Sequence, residues 1–565
     1  ASAIAAWAFL AADTATAARA AFFAGTVVTV AAACVWLTAV AARPVLATRR
    51  WLERLLSVPA QRLVAGTAPA SREMVSQISP GEHVLVETGE TVPVDLELTE
   101  GDVEICPWVG AAHRLRRAAG DHAVAGARVT QGQARGVCTA AGLDRALARP
   151  LLAPDRRCDV HSRVAQWGRR LAQQWAWLAA FVAGLATLLL SWDRPQPIEA
   201  AMVAVAVGTA LGNVAVGTLA ALSIARGVTA ALGHGIVHNS AAAWDRCSEV
   251  SAAVFCARGT LLRGEPELAE VETFSDRSVV SDVLALAAGA VGVDRSPWAV
   301  AIRRGARDRG VSPEPIRNPR AVPGAGATAV GASGETVCVG NRALMVQRRV
   351  SVAVAESRMA ELEALGRTVL LASRAGRLIG LVALQDGLRP GARAAVQHVI
   401  DAGMEPVLIS SDSSATCQAL GRSLDIEHLR AEVPEAERAD VIGRIKDGGA
   451  TVAVLGHTPH DDAALGAADA SVALAAAGRA SDDFSASLVS DDVRDAALAL
   501  AIAQRTRKQA GQVLGLMLGP ALLGSLVVAA GLLPPEYAPL AALLGAVAAV
   551  AHLRSWDRTA EPEGR

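Results

Sequence analysis

Lysine is almost missing from this chain: Lys446 and Lys508 are the only two in 565 residues, although Lys and Arg together number 54. The other basic residues are arginine, whose near-permanent charge suits it poorly to proton transfer, so chemistry that needs a lysine must use one of those two. A cysteine framework is missing too. The eight cysteines (34, 106, 138, 158, 247, 256, 338 and 417) form no CxxC pair and no regular spacing, which argues for reduced thiols rather than a disulfide scaffold. There is no excess charge of one sign: 54 basic against 55 acidic residues leave a net charge of -1, with no sign of a nucleic-acid partner. No charged n-region and cleavage site of a signal peptide can be recognised. The first residue is Ala1, and a fragment or a processed form is expected.

Apolar residues are abundant. They make up 52% of the chain and the mean hydropathy is +0.32, above a soluble norm, so part of the chain is expected in lipid. A transmembrane helix needs about 20 mostly apolar residues. Ala20 to Ala42 qualifies without a charge; Gln173 to Trp192 and Ala200 to Ile224 form one pair, and Val513 to Leu533 and Pro539 to Leu553 another. Ala1 to Ala12 is short and is read as a span clipped at its start. Arg43, Arg49, Arg50 and Arg54 follow the first full span, Arg169 and Arg170 precede the next, and Arg505, Arg507 and Lys508 precede the last pair. Positive flanks stay in the cytoplasm, so both long inter-span segments, about 55–165 and 230–505, are placed there.

The first of these segments alternates apolar and polar residues between Gly and Pro breaks, as in HVLVETGETVPVDLELTEG, a β-rich pattern. The second alternates strands and helices: strand AAVFC, strand VLIS followed by helix SATCQALGRSL, then strand TVAVLG. That is the rhythm of a parallel α/β sheet, whose sites lie at the carboxyl ends of strands. Cys256, Asp412 and His457 fall at or just past such ends.

This layout resembles the P-type ATPases, most closely their heavy-metal-transporting branch. The likeness rests on ISPGEHVLVETGETVPVD (Ile78 to Asp95), GDHAVAG (Gly120 to Gly126), VGNRALM (Val339 to Met345) and LQDGLRP (Leu384 to Pro390), in the family's segment order. The resemblance implies a multi-domain integral membrane α/β protein with a six-helix transmembrane bundle. It implies a transmembrane hairpin over 1–54, a β-rich actuator domain over 55–165, and a transmembrane pair over 166–229. A HAD-like, doubly wound phosphorylation domain follows over 230–267 and 379–500. An α+β nucleotide-binding domain is inserted over 268–378, and a second pair and tail occupy 501–565. It further implies ATP and Mg²⁺ as cofactors and the plasma (inner) membrane as location, with the large domains cytoplasmic.

The residues that would drive such a pump are replaced. Where the family carries DKTGT, this chain has Cys256-Ala257-Arg258-Gly259-Thr260, so the aspartate that accepts the γ-phosphoryl group is missing. Thiolate is a soft ligand and Mg²⁺ demands hard oxygens. The GDGxND motif reads Gly456-His457-Thr458-Pro459-His460-Asp461, TGD reads Ser410-Ser411-Asp412, and the lysine expected in AEVPEAER is Arg438. In the actuator, TGES aligns on Val109-Gly110-Ala111-Ala112, leaving Ala111 where a glutamate would orient water. For nucleotide, the His-Pro pair is Ser296-Pro297, while Gly324-Ala325-Gly326 and Asn341 persist. The Cys-Pro-Cys of the fourth span falls on Gly212-Asn213-Val214, with no thiolate pair for a soft metal, and Asn213 and Thr218 are left to line a polar seam.

Cys256 is read first as a small buried thiol; a residual nucleophile is one alternative, and a Zn²⁺ site made of Cys256, His457, His460 and Asp461 is another. His457 and His460 are otherwise solvated loop histidines, and Asp412 and Asp461 otherwise cap helices. Attack, metal binding, charge neutralisation and dephosphorylation have each lost a residue. The expectation is a membrane pseudo-ATPase that acts through a partner, either a competent P-type ATPase or another membrane protein. The alternative is an ATP-driven cation pump with unorthodox catalytic residues.

Overall fold

The structure is a computed structural model that describes residues 14–55, 59–63, 71–108, 111, 113–193, 197–212, 215–275, 278–292, 294–479 and 484–559. It divides into two compact units, Ala1–Ser248 with Ala477–Val489 and Ile502–Arg565, and Glu249–Ala476 with Ser490–Ala501.

The first unit holds the apolar helices. Thr14–Leu55, Arg163–Asp193, Pro197–Leu211, Ala215–Gly233 and Tyr537–Thr559 belong to it, with the part of Val493–Ala529 from Ile502 onward. Among the described residues three helices are long and apolar enough to cross a membrane: Thr14–Arg54, Val493–Ala529 and Tyr537–Ser555. The apolar helices share two core clusters: Val30, Val45, Leu219, Leu222, Val513, Met517, Ala549 and Leu553 pack together, and Phe23 joins Met202, Val207, Ala521 and Ala542 in the second. Phe22, Trp36, Trp177, Phe181, Leu523 and Leu544 point outward and exposed, as lipid-facing side chains must when neighbours on the bundle are themselves apolar. The expected span Ala200 to Ile224 is described as helices Pro197–Leu211 and Ala215–Gly233 on either side of residues outside the description. The expected span Ala1 to Ala12 lies outside the described residues, as do Asn213 and Val214.

The expected β-rich segment is an antiparallel sheet in the order Ser71–Met74, Pro59–Leu63, His83–Glu87, Arg128–Ala140, Asp95–Cys106, Leu115–Ala118, with His122–Ala123 paired on Asp95–Cys106. Period-two alternation puts Val84, Val86, Leu96, Leu98, Val103 and Ile105 into its core. The fully buried Asp95 carboxylate accepts from the backbone N–H of Ala125 at 2.8 Å and Ala146 at 2.6 Å. It thereby ties the end of one family-like stretch to the GDHAVAG turn.

The second unit carries two sheets. The strand Ala252–Cys256, buried at every position, pairs in parallel with Glu405–Ile409 on one side and Val452–His457 on the other; His428–Arg430 and Ala470–Leu474 extend the parallel order. Inserted between the first two of these is a six-stranded antiparallel sheet running from Glu267–Thr273 through Arg377–Gln385, Thr368–Arg374, Thr336–Gly340 and Gly326–Val330 to Arg317–Val322. Its inner strands read as unbroken apolar runs because both faces are covered. Val337, Val339, Leu370 and Val382 face helices Val280–Ala290 and Pro297–Asp308, while Cys338, Leu371 and Leu381 face Arg342–Gln347 and Glu356–Ala364.

Candidate active site

The carboxyl ends of the parallel strands bring the sequence-predicted residues into one region. Cys256 ends its strand with no exposed surface. Burial pushes its thiol well above the ordinary range, the neighbouring Asp461 carboxylate adds to the rise, and Arg438 opposes it. Only the thiolate is an effective nucleophile or metal ligand, so this sulfur is held in its unreactive form. The loop after it turns back at once: the Ala257 N–H donates to Ile409 O, and Leu261 and Leu262 both donate to Ala257 O, at 2.9, 3.0 and 2.8 Å. Gly259 sits at φ 80°, a left-handed position that favours glycine. Thr260 is fully buried, and its Oγ1 has no partner among the described residues.

Each surviving acid is engaged by a guanidinium. Arg438 Nη1 meets Asp461 Oδ1 at 2.5 Å, with the two side chains 5% and 1% exposed. The other Asp461 oxygen accepts from the His457 N–H at 2.9 Å. Burial raises the Asp461 carboxyl, against the pull of the His457 N–H and Arg438. Arg258 Nη2 meets Asp412 Oδ1 at 2.6 Å. Burial works to raise the Asp412 carboxyl too, but Arg258 with the hydroxyls of Thr368 and Ser410 outweighs it and holds the group below the ordinary value.

The zinc reading fails on this geometry. Among the described residues no three His, Cys, Asp or Glu side chains are grouped to hold a metal ion. Asp461 is turned onto Arg438, His457 Nδ1 lies 2.7 Å from the Thr458 carbonyl with Nε2 toward Asp491 at 3.6 Å, and His460 is exposed. The Mg²⁺ expectation fares no better. A hard cation needs open oxygen ligands, whereas the position offers a buried neutral sulfur, an imidazole and a carboxylate already paired to arginine; these residues do not fit it.

The nucleotide candidates divide. Asn341 caps helix Arg342–Gln347, its Oδ1 accepting from the Leu344 N–H at 3.0 Å and its Nδ2 donating to Gly324 O at 3.1 Å. Asn341 and the Gly324 to Gly326 turn are thus one unit, and a side chain at Gly326 would collide with Val339 O, 2.2 Å from an added Cβ. Ser296 precedes Pro297 at the start of helix Pro297–Asp308, which packs on the opposite face of the sheet. In the first unit Ala111 is half-buried, its N–H donating to Trp108 O at 3.1 Å. Val109, Gly110 and Ala112 lie outside the described residues. Trp108 anchors that loop, donating from its indole to Gly233 O at 3.0 Å. Gly212 continues the turn of its helix, with its N–H on Gly208 O at 2.8 Å.

Arg258, Thr368 and Asp491 were not singled out by the sequence. The available signal for Arg258 was an arginine at the third place of the DKTGT-like stretch, where the family carries threonine.

Residues 250–469 match the haloacid dehalogenase-like hydrolase family and residues 55–151 match the P-type ATPase actuator domain. A copper-transporting P-type ATPase of Rhizobium leguminosarum bv. viciae is 29% identical over 471 residues, 82% of this chain and 55% of the relative. A copper-exporting P-type ATPase of Bacillus subtilis (strain 168) is 28% identical over 504 residues, 86% of this chain and 62% of the relative. The chain therefore spans less than two thirds of the length of these curated relatives. The crystal structure of a zinc-transporting PIB-type ATPase in the E2.Pi state aligns with a TM-score of 0.47 at 21% identity, covering 97% of this chain and 88% of that one.

Proposed function

We propose that this chain, which is similar to the copper-transporting P-type ATPases, is a pseudo-ATPase: a membrane protein that keeps the scaffold, forms no phosphoenzyme, and acts by binding a partner. The observation that carries this reading is the double pairing of Asp412 with Arg258 and Asp461 with Arg438 beside a buried, protonated Cys256. Phosphoryl transfer relies almost entirely on positioning and on cations that neutralise developing charge. Here the carboxylates that would gather such a cation are neutralised from within, and the residue that would accept the phosphoryl group is a thiol without an activating base. Ala111 offers no carboxylate to orient a hydrolytic water. The protein is placed in the plasma (inner) membrane with its large domains in the cytoplasm, on the strength of the arginine flanks, and its partner is a competent P-type ATPase or another membrane protein.

The test is incubation of membranes containing the protein with γ-labelled ATP, an acid quench, and counting of acid-stable label on the chain. No label and no metal-stimulated phosphate release are expected. A covalent phosphorylated intermediate would sink the reading.

A further inference from the structure

Two covalent connections join the parallel and antiparallel sheets of the second unit, and they run side by side. Arg263 N–H donates to Gly387 O at 2.9 Å, Arg389 N–H to Leu261 O at 2.8 Å, and Gly264 N–H to Asp386 at 3.2 Å. The two connecting segments are thus hydrogen-bonded to each other where the chain passes between the sheets. A second set of bonds lies away from them. Arg258 follows the first parallel strand, and its Nη2 reaches Asp412 Oδ1 at 2.6 Å and Thr368 Oγ1 at 3.1 Å. Thr368 Oγ1 itself donates to the same Asp412 oxygen at 2.8 Å. Thr368 opens a strand of the antiparallel sheet, whereas Arg258 and Asp412 belong to the parallel-sheet domain. One turn along the following helix, Thr416 Oγ1 donates to the Arg367 carbonyl at 3.0 Å.

We propose that Arg258 is the pin of an interdomain latch: its ion pair with Asp412, shared with Thr368, holds the antiparallel domain against the parallel-sheet domain. The pair is sheltered, with side-chain exposures of 24% for Arg258 and 4% for Asp412, and charge-assisted bonds in such surroundings are the strong ones. The three side chains come from both domains and bond to one another away from the connecting segments. The latch goes beyond the pseudo-ATPase reading: a trapped phosphoenzyme would overturn that reading and leave the latch to be judged on its own test.

The test is hydrogen–deuterium exchange of the intact chain in detergent, for wild type, Arg258→Ala, Arg258→Lys and Thr368→Val. In Arg258→Ala the amides of 366–369 and 410–417 are expected to exchange roughly ten- to a hundredfold faster, the range for losing a charge-assisted bond, with 336–340 in the sheet interior unchanged. Arg258→Lys falls between, because it keeps the charge and loses the fork. Rates at 366–369 within about twofold of wild type, below what one lost hydrogen bond gives, would overturn the latch. Should Arg258→Ala accelerate exchange at 336–340 too, it has unfolded the domain and Thr368→Val decides. That variant leaves the Arg–Asp pair in place, so local acceleration of about threefold or more supports the latch and wild-type rates overturn it.

Discussion

The Arg438 guanidinium and the Asp461 carboxylate meet at 2.5 Å where neither side chain has more than 5% of its surface exposed. A pair this buried is a weak source of net stability, since desolvation offsets the attraction, but removing one member leaves an uncompensated charge and costs about 3–5 kcal/mol. Arg438→Met and Asp461→Leu should each lower the unfolding free energy by an amount of that order, read from denaturant unfolding. The double variant should be less destabilised than either single one. Additive losses in a double-mutant cycle would show that the two side chains act separately.

Cys256 is where restoring the family residue looks simplest and should fail. An aspartate at this fully buried position would sit beside Asp461, placing a second carboxylate in a space with one guanidinium already committed. Cys256→Asp is expected to cost about 2 kcal/mol or more, while Cys256→Ser costs about 1 kcal/mol. Since Ala257 supplies no ammonium and His457 no oxygen ligand, Cys256→Asp should still take no acid-stable label from γ-labelled ATP. Labelling of that single variant would show the rest of the pocket to be competent.

The residues themselves explain what could be read from the sequence. Strand Ala252–Cys256 and helix Ser414–Leu424 were legible because an apolar run bounded by turn residues, or a serine ahead of a helical stretch, is a local signal. The Ser413 hydroxyl does cap that helix, accepting from the Thr416 N–H. Not legible were the Arg258–Asp412 pair, whose members are 154 residues apart, and the orientation of Asp461, which is set by an arginine 23 residues earlier. The zinc grouping failed for the same reason: strand-end position brings residues near one another, but ion pairing decides where their side chains point.

Acidification should expose the latch. Asp412 has an ordinary value of 3.8 and is held below it in the folded protein. Such a group contributes stability that is fully present above 3.8 and is lost as pH falls through the depressed folded value. Asp461 has the opposite sign: burial raises it, so the folded protein takes up that proton before the unfolded chain does, and its contribution grows as pH falls toward 3.8. Stability of the second unit, followed by denaturant unfolding between about pH 5 and pH 2, should therefore fall less steeply in Asp412→Asn than in wild type. Parallel curves would show that the Arg258 pair does not depress Asp412.

Close approach of helices in the apolar unit gives the last test. A Cβ added at Gly227, in helix Ala215–Gly233, would lie 2.3 Å from Thr506 Oγ1, 2.7 Å from its Cγ2 and 3.0 Å from its Cβ. Turning the threonine about χ1 can vacate only one of the two near positions and leaves the Cβ contact as it is, so the helices must move apart. Gly227→Ala is expected to cost about 1–3 kcal/mol, as overpacking does, and to lower the thermal midpoint in detergent. Thr506 is fully buried and its hydroxyl has no partner among the described residues, so Thr506→Ala should cost little alone. Combined with Gly227→Ala it removes two of the three clashing atoms and should recover most of the loss. A Gly227→Ala protein that melts with wild type would mean that the two helices are not held at this separation.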